Sequence, residues 1–174
     1  MRRVKDGNLD QLGLLFERYK KKTFGFFFNM FGDAALSEDL VQNTFMRIIR
    51  YRSSFTGDGE FSVWLFRIAR NVGNDHFRKN KSRYGDLDGL EEMPEDTLTR
   101  EESLMKSEEL QMLRLAMERL DYEKREVLTL SKIEGMRYAE IGRILECNEN
   151  AVKSRVFRAM QALKTEFENI QSKV

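Results

Sequence analysis

The stretch Asn148-Glu-Asn-Ala-Val-Lys-Ser-Arg-Val-Phe-Arg-Ala-Met-Gln-Ala-Leu-Lys164 is the strongest single indicator of the architecture of this chain. At about 100° per residue, its apolar and polar side chains fall on opposite sides of a helix. The apolar side holds Val152, Val156, Ala159, Met160 and Leu163. The other side is polar and cationic and holds Asn150, Ser154, Arg158 and Gln161, with Lys153 and Phe157 on its flank. Asn148 suits the N-cap of this helix, so we predict that the helix begins just after it.

A shorter helix is predicted just upstream, over Tyr138-Ala-Glu-Ile-Gly-Arg-Ile-Leu145. Its Ile141, Ile144 and Leu145 turn inward at helical spacing. Two helices joined by a short turn form a helix-turn-helix, whose second helix enters a DNA major groove. In a major groove, Phe157 would contact a base or sugar. On a helix face exposed only to water, an aromatic side chain would have no favourable contact.

The composition is that of a helix-rich protein without catalytic chemistry. The chain has 174 residues, of which 34% are charged and 41% hydrophobic, and its single proline is Pro94. One cysteine and one histidine exclude an internal disulfide and an ordinary zinc cluster. There is no Ser-His-Asp, Cys-His or phosphate-loop arrangement. We therefore expect no enzyme activity, no cofactor and no metal.

No apolar run approaches the length of about 18 residues that a membrane-spanning helix needs, and no signal-peptide pattern is present. The apolar segment Phe24-Gly-Phe-Phe-Phe-Asn-Met-Phe31 is too short and is better interpreted as part of a buried helix. We expect a cytoplasmic protein without membrane insertion.

Charge is distributed unevenly along the chain. Residues 1–83 hold 16 Lys and Arg against 9 Asp and Glu, residues 84–112 hold 2 against 10, and residues 113–174 hold 12 against 10. A basic front, an acidic middle and a weakly basic end predict two modules and a connector. The predicted fold class is therefore all-α, with small helical domains at 1–83 and 107–174 joined by a flexible acidic linker at 84–106.

The front of the chain predicts three helical stretches. The first, over residues 9–31, has an aromatic side that we interpret as core. The second runs from Glu38 to about Tyr51, with Ser37 as its N-cap. Its outer side carries Asp39, Gln42, Asn43, Met46, Arg47 and Arg50. From the pattern alone, this side is interpreted as a solvated face in preference to an interface.

A loop is predicted over Ser53-Ser-Phe-Thr-Gly-Asp-Gly-Glu60, since it is rich in glycine and small hydroxyl residues. Phe55 lies inside it, and Phe61 and Trp64 follow. Aromatic rings on a loop beside a basic helix could stack on an unpaired base. The alternative, which stays open for Phe55, is that the ring anchors the loop to the core.

The third stretch, from Phe61 to Lys79, carries the sharpest signal in the front half. Within about 100° of arc it gathers the residues of what we call the basic strip: Arg67, Arg70, Asn71, Asn74 and Arg78. Guanidinium forks and amides suit contacts with phosphates and base edges. An ordinary soluble face would mix in glutamates for pairing along the helix. We therefore favour nucleic acid as its partner, whereas His76 is interpreted as a structural core residue.

The rear of the chain restores helical spacing over Ser107–Leu120 and Tyr122–Lys132, and Glu134-Gly135 is typical of a helix end. With the helix-turn-helix these make a four-helix unit. Cys147, in the turn between the last two helices, is interpreted as a small buried apolar residue.

Taken together, these patterns resemble the bacterial sigma-70 superfamily, specifically the small extracytoplasmic-function (ECF) type with regions 2 and 4. In the front module the resemblance lies in Leu15-Phe-Glu-Arg-Tyr19, Ser37-Glu-Asp-Leu-Val-Gln-Asn-Thr-Phe45, Phe61-Ser-Val-Trp-Leu-Phe-Arg-Ile-Ala-Arg-Asn71 and Asp75-His-Phe-Arg-Lys79. In the rear module it lies in residues 120–130, Tyr138-Ala-Glu-Ile-Gly142 and Ala151-Val-Lys-Ser-Arg-Val-Phe-Arg-Ala159. Each motif is loose alone, but all of them in order are specific.

The resemblance implies a transcription initiation factor that binds core RNA polymerase at the clamp helices of its largest subunit and at its flap region. Polymerase binding is implied for Asp39, Leu40, Gln42, Asn43, Phe45, Met46 and Arg47, which replaces the interpretation of that helix as a solvated face. Recognition and opening of the minus-10 element, with a non-template base held single-stranded, is implied for Thr56, Gly57, Asp58, Phe61, Trp64, Arg67, Asn71, Asn74, Arg78 and Lys79. Reading of the duplex minus-35 element is implied for Tyr138, Asn150, Lys153, Ser154, Phe157 and Arg158. An anti-sigma factor is a further possible partner.

The chain departs from the family pattern in the rear module. Asp121 follows Leu120 where the family usually has Leu-Pro, and Glu146 and Cys147 stand in a turn where glycine is usual. Asn150 also stands where glycine is common. These departures concern the minus-35 sequence preference more than the fold.

Two other functions remain as alternatives. A stand-alone helix-turn-helix regulator would bind duplex DNA tightly without polymerase. A polymerase-binding adaptor protein would use its basic helix to contact an acidic protein. Binding to core polymerase, followed by promoter-dependent transcription, distinguishes all three.

Overall fold

The computed structural model of the chain describes residues 1–5, 10–57, 60–84 and 102–172, and these are helical apart from short turns. The predicted all-α class is confirmed. The helices are α1 (Arg2–Lys5), α2 (Asp10–Phe31), α3 (Ala34–Arg50), α4 (Phe61–Tyr84), α5 (Glu102–Glu118), α6 (Tyr122–Leu128), α7 (Tyr138–Leu145) and α8 (Glu149–Gln171). A single 3-10 turn follows α3, and a π-helical turn over Thr129–Ile133 extends α6. Among the described helices, none has the length and apolarity to cross a bilayer.

Helices α1 to α4 form the front module, whose core is built from aromatic and branched side chains. Phe26 and Phe27 of α2 are fully buried, as are Ile48 of α3 and Leu65 of α4. Rings meet edge to face across the helices, with a centroid distance of 5.6 Å between Phe26 and Phe66. The aromatic side of α2 is therefore core, as predicted, and its most buried rings are those of Phe26 and Phe27.

The prediction of Ser37 as the N-cap of α3 is wrong. The helix begins at Ala34, and Asp33 caps it by accepting a hydrogen bond from the Leu36 backbone N at 2.9 Å. Ser37 is buried in the first turn, where its hydroxyl donates to the Asp33 carbonyl. A serine hydroxyl can satisfy either role, so the sequence pattern alone did not separate the two.

Helices α5 to α8 form the rear module and carry the helix-turn-helix. The predicted bounds of α7 are confirmed, and Asn148 caps α8 by accepting from the Ala151 backbone N at 2.8 Å. Val152, Val156 and Ala159 are buried as expected, but Met160 is exposed. The prediction that Met160 lies on the apolar side is therefore wrong. The buried side of α8 is the narrower stripe of Val152, Val156 and Ala159.

Asp121 explains how α6 forms without the usual proline. Its carboxylate accepts a hydrogen bond from the Lys124 backbone N at 2.9 Å, which satisfies a donor of the first turn. The side chain of Lys124 also pairs with this carboxylate. At the other end, Gly135 has a φ of +64° and so ends the helix as predicted.

The turn between α7 and α8 is tightly built. The Cys147 backbone N donates to the Gly142 carbonyl at 2.9 Å, and a Cβ placed on Gly142 would lie 2.6 Å from the Cys147 carbonyl oxygen. Glu146 has a φ of 56° and a ψ of 43°, which is the left-handed conformation that favours glycine. Cys147 is half-buried and packs against the core.

The linker predicted at 84–106 is helical at both of its ends. Residue 84 ends α4, and α5 begins at Glu102, five residues before the predicted boundary. Residues 85–101, which include Pro94, lie outside the described residues.

The two modules pack against each other, and their apolar residues belong to one connected core cluster. Arg125 of α6 joins the modules by its guanidinium. It donates to the Met30 carbonyl at the end of α2 at 2.7 Å, and also to carbonyls of its own module, including that of Leu120 at 2.9 Å. Carbonyls near a helix end lack partners in their own helix, and this arginine supplies one across the interface.

We expect Gly142→Ala to destabilise the rear module by about 1–3 kcal/mol, because the added methyl meets a backbone carbonyl that cannot move aside cheaply. Urea unfolding followed by circular dichroism measures the change. The control is Gly13→Ala in α2, where a Cβ would meet nothing within 4 Å, and where alanine should stabilise the helix by about 0.5–1 kcal/mol. Equal effects of the two substitutions would contradict the close approach in the turn.

Candidate nucleic-acid interface

The basic strip lies along α4, where its members differ in exposure. Arg67, Asn71 and Arg78 are exposed, and Lys79 is exposed just beyond them, whereas Arg70 and Asn74 are half-buried. The α4 helix presents these side chains on one side while Leu65, Ile68, Ala69 and Val72 pack into the core on the other. The strip therefore forms one cationic and amide-bearing surface, as its spacing predicted.

An aromatic group supports the N-terminal end of this surface. The ring of Trp64 lies 5.3 Å from that of Phe55 and 6.0 Å from that of Phe61, centroid to centroid. Phe61 in turn contacts Tyr19 of α2 at 5.1 Å. Phe55 is 7% exposed, so it anchors the loop to the core, and stacking on a base is not available to it here. Trp64 and Phe61 remain half-buried and offer partial ring surface.

The loop before α4 is described in part. Thr56 is exposed, and Gly57 is half-buried with a φ of +84°, which glycine adopts without strain. Asp58, predicted as a DNA contact, lies outside the described residues. Glu60, the residue before α4, pairs with Arg137 of the rear module, whose Nη2 lies 2.8 Å from Glu60 Oε1.

Asp75 connects the third and fourth helices on this side. One of its carboxylate oxygens lies 2.8 Å from Arg47 Nη2 of α3, and the other lies 3.1 Å from Arg78 Nη2. Arg47 was predicted to contact polymerase and Arg78 to contact DNA. A single carboxylate thus orients one cation from each predicted surface.

The exposed side of α3, which we call the docking face, consists of Asp39, Gln42, Asn43, Met46 and the half-buried Arg47. Met46 is 67% exposed, so the docking face carries one large apolar side chain among its polar groups. Leu40 and Phe45, predicted with this group, are each 5% exposed and lie in the core of the front module. They support α3 from beneath, and direct contact with a partner is not available to them in this conformation.

The outward side of α8, which we call the recognition face, holds Asn150, Lys153, Ser154, Phe157 and Arg158, all exposed. The Ser154 hydroxyl donates to the Asn150 carbonyl at 3.0 Å, and Arg158 Nε donates to the Ser154 carbonyl at 3.4 Å. Phe157 is 63% exposed, so the aromatic ring stands among polar groups as predicted. Tyr138, at the start of α7, is half-buried.

Residues of the rear module that were not predicted to matter contact the basic strip directly. Arg70 Nε donates to Glu126 Oε1 of α6 at 3.0 Å, and the Glu126 side chain is 5% exposed. Burial raises the pKa of the Glu126 carboxyl, and the charge of Arg70 partly offsets that effect. Arg67 pairs with Glu146 in the turn before α8. The one sequence signal for Glu126 is an acid beside Val127 and Leu128 in an otherwise core-facing position.

Tyr122 is a further interface residue that the sequence did not predict. Its ring stacks on that of Phe77 of α4 at a centroid distance of 4.6 Å and approaches Phe31 of α2 at 6.2 Å. A Cβ on Gly73 would lie 3.1 Å from the Tyr122 hydroxyl oxygen, so glycine at this position gives the tyrosine room. Burial raises the pKa of this hydroxyl.

Two helical modules, one with a cationic strip beside aromatic rings and one with a helix-turn-helix, define a protein of the sigma-70 class. Residues 15–83 match the family described as Sigma-70 region 2, and residues 110–163 match the family described as Sigma-70, region 4.

Two similar proteins identify the family within this class. The chain is 32% identical over 170 residues to the ECF RNA polymerase sigma-E factor of Escherichia coli strain K12, covering 92% of this chain and 88% of that protein. It is also 32% identical over 169 residues to the ECF RNA polymerase sigma factor BldN of Streptomyces coelicolor, covering 92% of this chain but only 62% of the length of BldN. The chain belongs to the ECF RNA polymerase sigma factors, as the motifs implied.

A solved structure shares the fold. The sigma factor RpoE, in its co-crystal structure with the anti-sigma factor NepR from Bartonella quintana, superposes with a TM-score of 0.74 at 23% identity. The superposition covers 91% of this chain and 97% of RpoE, so it includes both modules.

We expect Phe55→Ala to lower the free energy of unfolding by about 3–5 kcal/mol, because it empties a packed aromatic site. Phe157→Ala should change it by less than about 0.5 kcal/mol, because that ring is exposed. Urea unfolding of both variants gives the comparison. A stable Phe55→Ala protein would contradict the anchoring of the loop and would reopen base stacking for this ring.

Proposed function

We propose that this protein binds core RNA polymerase through the docking face, recognises the minus-10 element through α4, and recognises the minus-35 element through α8. The observation that carries the proposal is the presence of two outward, cation- and amide-bearing helix faces on separate modules, one of them beside aromatic rings. A protein with one duplex-reading face would not need the second. The membership of the chain in the ECF sigma factor family supports the same assignment.

The strip on α4 has the chemistry to bind separated strands. Arg67 and Arg78 can pair with backbone phosphates, and Asn71 can both donate to and accept from a base edge. Trp64 and Phe61 offer ring surface near the loop, where an unpaired base could stack. Capture of an unpaired non-template base would favour the open duplex, so this protein would promote opening without hydrolysing a nucleotide.

The recognition face suits the major groove. Arg158 can form a bidentate contact with a guanine, Lys153 can contact a phosphate, and Ser154 can contact either. Phe157 would supply apolar contact with a base or sugar. These roles rest on the exposure of all four side chains along one side of α8.

We further propose that the docking face binds the clamp helices of the largest polymerase subunit, and that the rear module binds the flap region. Polymerase as a partner would place the protein in the cytoplasm. An anti-sigma factor is a candidate partner as well, since RpoE, whose fold this chain shares, was solved with one. The protein itself would act as a binding factor and not as an enzyme.

The experiment that tests the proposal begins with a pull-down of bacterial core RNA polymerase by the purified protein. Run-off transcription from a library of random promoter fragments follows. Transcripts that require both the protein and two separated DNA elements would support the proposal. Failure to bind polymerase, with tight binding to duplex DNA, would support the stand-alone regulator, and polymerase binding without promoter-dependent transcripts would support the adaptor.

Met46→Asp should weaken binding to core polymerase by about 1 kcal/mol or more, because it replaces the large exposed apolar side chain of the docking face with a charged one. Leu14→Asp is the matched control, since Leu14 of α2 is similarly exposed, at 65%, but lies outside the docking face. Titration of labelled protein with core polymerase measures both. Equal losses for the two variants would remove Met46 from the contact.

Arg158→Ala should cost about 1–3 kcal/mol of promoter discrimination at one position of the minus-35 element, because one base contact is lost. Lys153→Ala should weaken promoter use evenly across sequences, because a phosphate contact carries no sequence information. Sequencing of transcripts from the promoter library distinguishes the two patterns. An even loss for both variants would place the reading of that element on other residues.

A further inference from the structure

Three side chains of the recognition face form its centre line, which points directly away from the core. At about 100° per residue, Asn150, Ser154 and Phe157 fall within about 60° of one another around the axis of α8. Val152 and Ala159 lie on the opposite side of the helix and are buried. In a major groove, the side chains of the centre line would therefore face the base edges.

Asn150 lies nearest to the end of α8 that such a helix presents to the bases. It is the second residue of α8, after the N-cap Asn148, and it is exposed. Contacts with base edges come chiefly from the N-terminal residues of a recognition helix. Glycine, which is common at this position in the family, presents no side chain to a base. Asn150 therefore adds a polar group where the family pattern has none.

The side-chain amide of Asn150 makes no hydrogen bond to any residue that the structure describes. An asparagine in the first turn of a helix commonly accepts a hydrogen bond from a free backbone N–H. Here that bond is made by Asn148, which accepts from the Ala151 backbone N at 2.8 Å. The Ser154 hydroxyl donates to the backbone carbonyl of Asn150 at 3.0 Å, and not to its amide. The donor and the acceptor of this amide are thus both available to a ligand.

The chemistry of the Asn150 amide matches adenine. Its oxygen accepts and its nitrogen donates in one plane, and adenine offers the N6 amino group and the N7 acceptor side by side. Guanine presents two acceptors in the major groove, cytosine a donor, and thymine an acceptor beside a methyl group, so none of them matches both halves of the amide. A phosphate is better matched by the charged Lys153 nearby than by a neutral amide.

The spacing along α8 places this adenine relative to the guanine proposed for Arg158. Asn150 and Arg158 are eight positions apart, which is about 12 Å at about 1.5 Å per residue. Base pairs follow one another about every 3.4 Å along the duplex. The two contacts are therefore separated by about three to four base pairs, with Ser154 and Phe157 between them.

We propose that Asn150 recognises an adenine at one end of the minus-35 element, about three to four base pairs from the guanine contacted by Arg158. The inference rests on the proposed function of α8 in minus-35 recognition, and it adds one base pair of specificity to that function. Promoters of this protein would then differ at that base pair from those of a relative with glycine at the same position, because glycine has no side chain with which to prefer adenine.

The test is run-off transcription by core RNA polymerase with the full-length protein, from a library in which only the minus-35 element is randomised. Asn150→Gly removes the side chain. Asn150→Asp keeps its size but only accepts hydrogen bonds, which matches the N4 amino group of cytosine. An aspartate also suits the first turn of a helix, so this variant should fold. The control, Gln171→Ala, removes an exposed amide at the other end of α8.

We expect the sequenced transcripts of the wild type to show about a tenfold preference for adenine at one position, since a bidentate contact discriminates by about that much. Asn150→Gly should reduce this preference to less than about twofold and leave the other positions as they were. Asn150→Asp should change the preferred base at the same position from adenine to cytosine. Gln171→Ala should match the wild type at every position.

An adenine preference that survives in Asn150→Gly would overturn the inference. A loss spread evenly over all positions would overturn it too, because that pattern is expected of a phosphate contact. Arg158→Ala is measured in parallel to separate the inference from the proposed function. If Arg158→Ala relaxes one position and no position depends on Asn150, the inference alone is wrong. Wild-type transcription without any minus-35 dependence would overturn the proposed function of α8 and the inference with it.

Discussion

The buried pair of Arg70 and Glu126 is the interaction on which the joined arrangement of the two modules depends. The Glu126 side chain is 5% exposed, so its charge is removed from water and needs a partner. Removing one member of such a pair costs about 3–5 kcal/mol, whereas exposed pairs contribute about 1 kcal/mol at most. The pair therefore selects which faces meet. The ring of Tyr122, stacked on Phe77, adds apolar burial beside it.

Features set by residues close together in the chain could be predicted from the sequence. The cap at Asn148, the bounds of α7 and the helix end at Gly135 all follow from patterns within a few positions. The same reasoning was wrong at Ser37 and left two roles open for Phe55, because each residue type has two local uses and only tertiary packing selects one. Serine can cap a helix or bond back to it, and a loop phenylalanine can contact a ligand or anchor the loop.

Features that join the modules could not be predicted in the same way. Arg70 and Glu126 are 56 positions apart, and Arg67 and Glu146 are 79 positions apart, so no helical period relates them. The basic strip itself was visible, because its members share one face of one helix. Its lack of glutamates was a property of α4 alone, and the acids that pair with Arg70 and Arg67 are supplied by α6 and by the turn before α8. The exposure of the recognition face, in contrast, is what the sequence pattern predicted.

The contacts of Arg125 couple the packing of the two modules to the surrounding water. Its guanidinium donates to the Met30 carbonyl across the interface, so a side chain of one module completes the end of a helix in the other. When the modules part, both the donor and the carbonyl must bind water instead. Parting therefore takes up water molecules, and its equilibrium depends on water activity. Osmolytes that are excluded from protein surfaces would shift the protein toward its joined form without contacting any of these residues.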